Sequence, residues 1–309
     1  MSETVAAVVV TYNRKTLLVK CLRALLAQTR QVDKIIIVDN ASRDGTYVSL
    51  VSEGILNIKN VEYVSLAENL GGAGGFDVGA RKGYGEGYDW LWLMDDDGQP
   101  GEDCLFNLLT AFGPDVLFRS ALVLDIDEPD KLAFRLKVHG VADVAYRREA
   151  DAIAASGRVL PDVATPFNGI LVHRRVLKEI GFPKKELFMW GDETEYLLRA
   201  RKARIPIATS VDSLFLHPRD RMVANVVRIG NMSFTVVDVE DRLRSYLAVR
   251  NGAYIKLRYR GIRGLLRHVV KYTLFYFLKR GPIAAAKVLW YCGEGAFGKL
   301  SRHTSYLSD

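Results

Sequence analysis

The 309-residue chain predicts an α/β fold: a doubly wound sheet of mixed direction followed by basic, amphipathic C-terminal helices. Three observations carry this. Short apolar runs alternate with segments of helical periodicity through the N-terminal third. The runs are continuous, as in parallel strands covered on both faces. Charge is segregated: from Arg242 to Gly293 there are twelve Lys or Arg and no Asp or Glu, which leaves the rest at −5 within a total of +7.

The first strand is Val5–Val10. It is too short for a signal peptide or a membrane span, and Thr11-Tyr-Asn-Arg14 interrupts it. Leu17, Leu18, Cys21, Leu22, Leu25 and Leu26 then recur at helical spacing. Lys34–Val38 is a second strand, Thr46–Glu53 a helix, Val61–Ser65 a third strand, and Gly75–Gly85 a helix after a glycine-rich turn. Asp89–Met94 is a fourth strand that ends in Asp95-Asp96-Asp97-Gly98. Repeated units of this length imply right-handed crossovers. Strands of mixed direction follow at Val116–Leu124, Ala133–His139 and Val144–Arg148, with another inside Asp162–His173. Arg175–Ile180 reads as a helix stopped by Gly181, and Asp192–Lys202 as a helix with Tyr196, Leu197 and Ala200 inward. Pro206–Thr209 is a short strand. The C-terminal helices fall near Asp241–Arg258, Ile262–Leu278 and Pro282–Cys292, punctuated by Gly261 and Gly281-Pro282. The charge shift divides the chain into a body, residues 1–238, and a basic helical region, 239–309.

A mildly acidic body with a basic, apolar end is not the pattern of a nucleic-acid binder. It suits an anionic membrane surface. Leu274-Phe-Tyr-Phe-Leu278 beside Lys271, Lys279 and Arg280 reads as an interfacial patch, and no segment is long and apolar enough to be read as a span. The three cysteines, Cys21, Cys104 and Cys292, match no zinc or redox spacing and read as buried thiols in a reducing compartment.

In an open α/β sheet, ligands bind outside the carboxyl ends of the strands. Those ends hold Thr11-Tyr-Asn-Arg14, Asp39-Asn40, Asn69 with its glycines, and Asp95-Asp96-Asp97, a cleft suited to a nucleotide. Three adjacent carboxylates repel one another, so a fold that keeps them together gains a cation, and oxygen ligands favour Mg²⁺ or Mn²⁺. Asp95 and Asp97 are expected to reach a metal bridging a diphosphate and Asp96 to accept from a ribose hydroxyl, the alternative being a solvated acidic turn. Asn69-Leu-Gly-Gly-Ala-Gly-Gly75 lacks the Gly-Lys-Ser/Thr of a phosphate-binding loop, so its glycines are expected to let backbone approach a base or a sugar. Phe188–Tyr196 opens a helix with several carboxylates. Alone these are caps and dipole partners, but with Trp190 to stack on a sugar, a carboxylate there takes a proton from an acceptor hydroxyl. Asn168 is grouped with Trp190 as acceptor-binding. His217, after the short strand, is either a structural histidine or a third metal ligand.

Together these segments resemble glycosyltransferase family 2, with the Rossmann-like GT-A fold, over roughly residues 4–220. The resemblance rests on Val9-Val-Thr-Tyr-Asn-Arg14, Val38-Asp-Asn-Ala-Ser42, Glu68-Asn-Leu-Gly-Gly-Ala-Gly-Gly-Phe76, Asp95-Asp-Asp97 and Trp190-Gly-Asp-Glu-Thr-Glu-Tyr196. It is most like bacterial galactofuranosyltransferases, with the rhamnosyltransferases of O-antigen and cell-wall glycans close behind. It implies that Thr11, Asn13, Arg14, Asp39 and Asn69 hold uridine and diphosphate. Asp96 would hold the nucleotide sugar, and Asp95, Asp97 and His217 the metal, Mn²⁺ or Mg²⁺. By column the family's base falls on Glu193, where Asp is usual, with Asp192 as the alternative. The implied reaction is one in-line displacement with inversion, from UDP-galactofuranose or dTDP-rhamnose to a lipid-linked glycan. The enzyme would be cytoplasmic and peripheral on the inner face of the cell membrane. Tyr246-Leu-Ala-Val-Arg-Asn251 resembles a segment that follows the catalytic domain in these relatives.

Two other classes compete. A nucleotidyltransferase carries a glycine-rich, basic signature after its first strand, where Thr11-Tyr-Asn-Arg14 stands here. A non-catalytic nucleotide-sugar-binding assembly protein tolerates loss of the carboxylates, which are intact. Oligomeric state is open, a homo-oligomer included.

Overall fold

A computed structural model describes residues 3–138, 143–219, 224–229, 232–237 and 241–303. Its elements are β1 (Val5–Thr11), α1 (Lys15–Leu26), β2 (Lys34–Asp39), α2 (Thr46–Ser52), β3 (Val61–Ser65), α3 (Gly71–Gly85), β4 (Trp90–Asp95), β5 (Gln99–Pro100), α4 (Cys104–Thr110), β6 (Phe118–Asp125) and β7 (Lys131–Lys137). There follow β8 (Asp143–Tyr146), α5 (Arg147–Ala154), β9 (Val159–Pro161), β10 (Asn168–His173), α6 (Arg174–Ile180), α7 (Asp192–Lys202), β11 (Ile207–His217), β12 (Ala224–Ile229), β13 (Met232–Val237), α8 (Arg242–Arg280) and α9 (Pro282–Ala296). The chain forms two compact units: Met1–Lys185 with Tyr196–Arg219, and Glu186–Glu195 with Asp220–Asp309.

In the first unit the sheet runs β3-β2-β1-β4-β10-β6-β11-β5. The β3-β2-β1-β4 half is parallel, as the sequence predicts. β10 enters antiparallel between β4 and β6, and β11 lies parallel to β6, so the sheet is mixed. Both faces are covered. Val5, Ala7, Val9, Ile35, Ile37, Trp90 and Trp92 face Leu18, Leu22 and Leu25 of α1 and Leu105 and Leu108 of α4. Ala6, Val8, Val10, Ile36, Val38, Leu91 and Leu93 face Phe76, Ala80, Val176, Leu177, Tyr196 and Ala200. This alternation between two buried faces is why the strands read as unbroken apolar runs.

Helix α3 starts four residues earlier than its sequence suggests. Gly75, Gly79 and Gly83 face the sheet. A β-carbon on Gly75, Gly79 or Gly83 would lie 2.4, 2.3 or 2.6 Å from Val10, Val8 or Leu91. They let the helix lie close on β1 and β4, while Gly72, in the run expected to let backbone approach a base or a sugar, meets nothing within 4 Å.

β11 is also longer than the short strand expected, and His217 is its last residue. The register shifts between Ser210 and Leu214, where Asp212 pairs with Arg158. Thr209 donates to the Val163 carbonyl at 2.8 Å, so a buried hydroxyl is satisfied inside the strand. The expected strand over Val144–Arg148 ends at Tyr146. Glu149 accepts from the Ala145 and Tyr146 amides at 2.8 and 3.1 Å and starts α5 instead.

In the second unit β12 and β13 form an antiparallel hairpin. Gly261, at φ +65°, breaks α8 where the sequence places a stop, and Gly281-Pro282 separates α8 from α9. Val249, Ala253, Tyr272, Phe275, Tyr276, Val288 and Cys292 pack these helices together. All three cysteines are buried. Among the described residues, no helix is long and apolar enough to cross a membrane. The expected strand end at His139 and the boundary at residue 238 lie outside the described residues.

Candidate active site

The first unit brings Thr11, Arg14, Asp96, Asp97 and His217 into one network. β1 and β4 are neighbours, with Val10 beside Asp95, so their carboxyl ends meet. Thr11 donates its hydroxyl to Asp96 Oδ2 at 2.7 Å. One Arg14 nitrogen bridges Asp96 Oδ1 and Asp97 Oδ2 at 3.1 and 3.0 Å. Asp96 and Asp97 are buried, while Arg14 keeps 40% of its side chain exposed. Burial pushes the Asp96 carboxyl up despite the pull of Arg14 and Thr11. Burial lowers Arg14, but Asp96 and Asp97 outweigh it and the guanidinium ends above its ordinary value. Charge-assisted bonds of this kind hold a turn that carboxylate repulsion would otherwise open.

β11 delivers His217 to the same place. Its Nε2 lies 3.0 Å from Asp97 Oδ1, and its Nδ1 lies 2.7 Å from the Pro218 carbonyl. A carbonyl only accepts, so Nδ1 carries the proton there. In the neutral ring Nε2 then presents a lone pair to a carboxylate oxygen. Two acceptors at that distance require a proton or a cation between them. The donor set therefore fits a divalent cation with Asp97 and His217 as two of its ligands. Among the described residues, no group of three or more His, Cys, Asp or Glu side chains is gathered to hold a metal. Asp95 ends β4, and its charge adds to that of Asp96 and Asp97 in raising Arg14.

Phe215 underlies this corner. A β-carbon on Gly98 or Gly169 would lie 2.2 or 2.6 Å from its ring, so glycine lets the acidic turn and the start of β10 rest on it. Asn168 begins β10 at a register shift. It is buried, its Nδ2 donates to Pro166, and its Oδ1 has no hydrogen-bond partner among the described residues. That oxygen suits a polar ligand group.

The remaining expected nucleotide residues line the neighbouring strand ends. Asp39 accepts from the Ser42 amide at 2.8 Å and from the Tyr63 hydroxyl. Burial and that bond push the Tyr63 phenol up, and Tyr47 tilts against its ring at 5.4 Å. Tyr63 was not singled out from sequence because an aromatic residue in a strand reads as core. Asn13 and Asn69 shape their own loops: Asn13 Oδ1 accepts from Arg43 at 2.7 Å and Asn69 Oδ1 from Gly71 at 2.8 Å.

Trp190, Asp192 and Glu193 belong to the second unit. Glu193 is half-buried and accepts from the Gly191 amide at 3.1 Å. Asp192 is buried, and Arg244 lies over the Trp190 ring at 6.0 Å. Within this unit Arg250 and Asn251 hydrogen-bond to the backbone of residues 186–190, a role the sequence did not signal.

The family model described as Glycosyl transferase family 2 matches residues 6–117. The chain is 35% identical over 286 residues to galactofuranosyltransferase GlfT1 of Mycobacterium tuberculosis, covering 91% of each. It is 30% identical over 294 residues to GlfT1 of Mycolicibacterium smegmatis, covering 93% of this chain and 94% of that one. A third relative, dTDP-rhamnosyl transferase RfbF of Shigella flexneri, is 22% identical over 265 residues, covering 84% and 81%. The structure of S. aureus TarS 1–349 superposes with TM-score 0.60 at 13% identity, over 95% of this chain and 81% of that one. GalNAc-T7 with UDP, GalNAc and Mn²⁺ gives 0.58 at 12%, over 84% and 51%. The chain belongs to glycosyltransferase family 2 and is a glycosyltransferase of the GT-A fold.

Proposed function

We propose that the enzyme is an inverting, divalent-metal-dependent galactofuranosyltransferase that glycosylates a hydroxyl of a lipid-linked cell-surface glycan. The observation that carries the donor is 35% and 30% identity to galactofuranosyltransferases over nine-tenths of the chain. Transfer of rhamnose from dTDP-rhamnose is the second reading, favoured by the 22% identical rhamnosyl transferase.

Asp97 and His217 would hold the cation, Mn²⁺ or Mg²⁺, which supplies positive charge to the diphosphate. Arg14 adds a guanidinium that stabilises charge on the departing nucleoside diphosphate. Thr11 and Asp96 keep Arg14 and the turn aligned, and Asn168 offers its carboxamide oxygen to a sugar hydroxyl. Glu193, with Asp192 as the alternative, removes the acceptor proton as the hydroxyl attacks C1. The C1–oxygen bond to the diphosphate breaks in the same step, so the anomeric configuration inverts.

Contact with an anionic membrane is part of the reading. Ile262, Leu266, Val270, Phe277, Leu278, Ile283, Leu289, Trp290 and Phe297 are exposed within the basic C-terminal region. Apolar side chains ringed by cations suit a lipid interface. Co-sedimentation with phosphatidylglycerol vesicles should fall several-fold for Leu266→Glu combined with Trp290→Glu. Unchanged sedimentation counts against membrane contact.

The donor is tested by turnover of UDP-galactofuranose, UDP-glucose and dTDP-rhamnose with a synthetic lipid-linked acceptor, the product anomer being read by NMR. Transfer from UDP-galactofuranose alone, with inversion, is expected. Transfer from dTDP-rhamnose alone makes the second reading correct, and a retained anomer removes the single-displacement mechanism.

A further inference from the structure

The run Tyr246–Asn251 lies in the first half of α8 and has no task in the reaction described above. Arg250 and Asn251 are nonetheless fully buried. Three carbonyls converge on Asn251 Nδ2: those of Leu187, Met189 and Trp190, at 2.9, 2.9 and 2.8 Å. No regular element presents its carbonyls in this way. The convergence goes with left-handed backbone at Phe188 (φ +68°), Trp190 (+62°) and Gly191 (+98°), which is strained at the two non-glycine positions and persists only where the surroundings hold it.

Arg250 sets the orientation of the Asn251 amide. Its Nε and Nη2 donate to Asn251 Oδ1 at 2.9 and 2.7 Å. Arginine has no acceptor, so the amide oxygen must face it and the NH₂ must face the three carbonyls. Arg250 Nη2 also donates to the Glu186 and Leu187 carbonyls at 3.2 Å each, and Nη1 to that of Leu300 at 2.6 Å. Farther along the same helix face, a β-carbon on Gly191 would lie 2.9 Å from Ile255 Cδ1, and Tyr259 donates to Glu195 at 2.7 Å. Asn251, Ile255 and Tyr259 are spaced by four and share one face. The Gly191 amide, which this backbone orients, donates to the Glu193 carboxylate.

We infer that Arg250 and Asn251 are positioning residues for the transfer reaction: they fix the backbone that carries Trp190, Asp192 and Glu193. The inference rests on the reading that one of those carboxylates is the base. The C-terminal region then serves chemistry as well as attachment, and a chain cut after residue 240 loses the element that holds its base.

The test uses the full chain with Asn251→Asp, which keeps shape and removes the donors, and Arg250→Lys, which keeps charge and removes the fork. Glu193→Gln and Asp192→Asn are measured alongside. For each, UDP binding is titrated by calorimetry for affinity and stoichiometry, and kcat is expressed per UDP-binding site. A displacement near 1 Å can cost about 100-fold in rate. Asn251→Asp should lower kcat about 100-fold and Arg250→Lys about tenfold, with UDP affinity within twofold of the parent. A parental kcat per site in both, with Glu193→Gln or Asp192→Asn inactive, overturns the inference. So does a loss of stoichiometry that accounts for all of the lost rate, since that marks a folding role. If Asn251→Asp does not fold, Arg250→Lys decides by the same criteria. If neither carboxylate variant loses rate while Asn251→Asp does, the base assignment falls and the clamp stands as a holder of the Trp190 segment.

Discussion

Arg14 holds the acidic turn together at the level of single residues. It is the cation that bridges Asp96 and Asp97, and both carboxylates are buried. Removing one partner of a buried pair leaves charge without its counter-charge, which costs more than the pair contributes. Because Arg14 is partly exposed, water offsets some of that cost. Arg14→Met should destabilise the protein by about 2 kcal/mol in urea unfolding. It should also weaken UDP binding in calorimetry by about tenfold. Thr11→Val removes one hydroxyl donor to Asp96 and should cost about 1 kcal/mol by the same unfolding measurement. Unchanged stability in both would mean that the turn needs neither partner. These residues were legible in the sequence because polar side chains collect where apolar strands stop. The pairing of His217 with Asp97 was less so, because it depends on β11 running far beyond the four residues that look like a strand.

Glycine decides the packing of α3. A methyl group on Gly79 would meet Val8 at 2.3 Å and Val38 at 3.0 Å, whereas one on Gly72 meets nothing within 4 Å. Gly79→Ala should therefore destabilise by about 2 kcal/mol through overpacking. Gly72→Ala should be neutral or stabilise by up to about 1 kcal/mol through helix propensity. Denaturant midpoints of the two variants separate these effects, and equal midpoints would contradict the close-packing account. The glycines were visible in the sequence, but the packing of Gly75, Gly79 and Gly83 on the sheet was not. Low helix propensity hides a helix whose stability comes from contact with the sheet. The parallel strands β1–β4 were readable from their apolar runs. The antiparallel insertion of β10 was not, since pairing direction leaves no mark on a fully buried strand. The segment of Arg250 and Asn251 stood out in the sequence but its role did not, for a related reason: a hydrogen bond to a distant carbonyl has no sequence spacing.

For the molecule as a whole, response to acid is set in part by a buried histidine of the second unit. His268 is buried in the second unit against Gly252 and donates to the Val249 carbonyl at 2.9 Å. Burial lowers its pKa from 6.5 to about 4. The unfolded chain binds that proton first, so the stability from the neutral ring is complete above pH 6.5 and is lost as pH falls towards about 4. The loss amounts to roughly 3 kcal/mol. The melting point of the parent should drop between pH 7.5 and pH 5 by more than that of His268→Asn, and parallel drops would exclude this residue as the source. In the proposed mechanism Asp97 and His217 hold a cation on which donor binding depends. The decisive measurement is calorimetry of UDP with Mn²⁺ or with chelator, in the parent and in Asp97→Ala and His217→Ala. Mn²⁺ should tighten UDP binding at least tenfold in the parent and leave both variants unchanged. Parent protein that binds UDP equally well with chelator, or variants that keep the full Mn²⁺ response, would contradict the account.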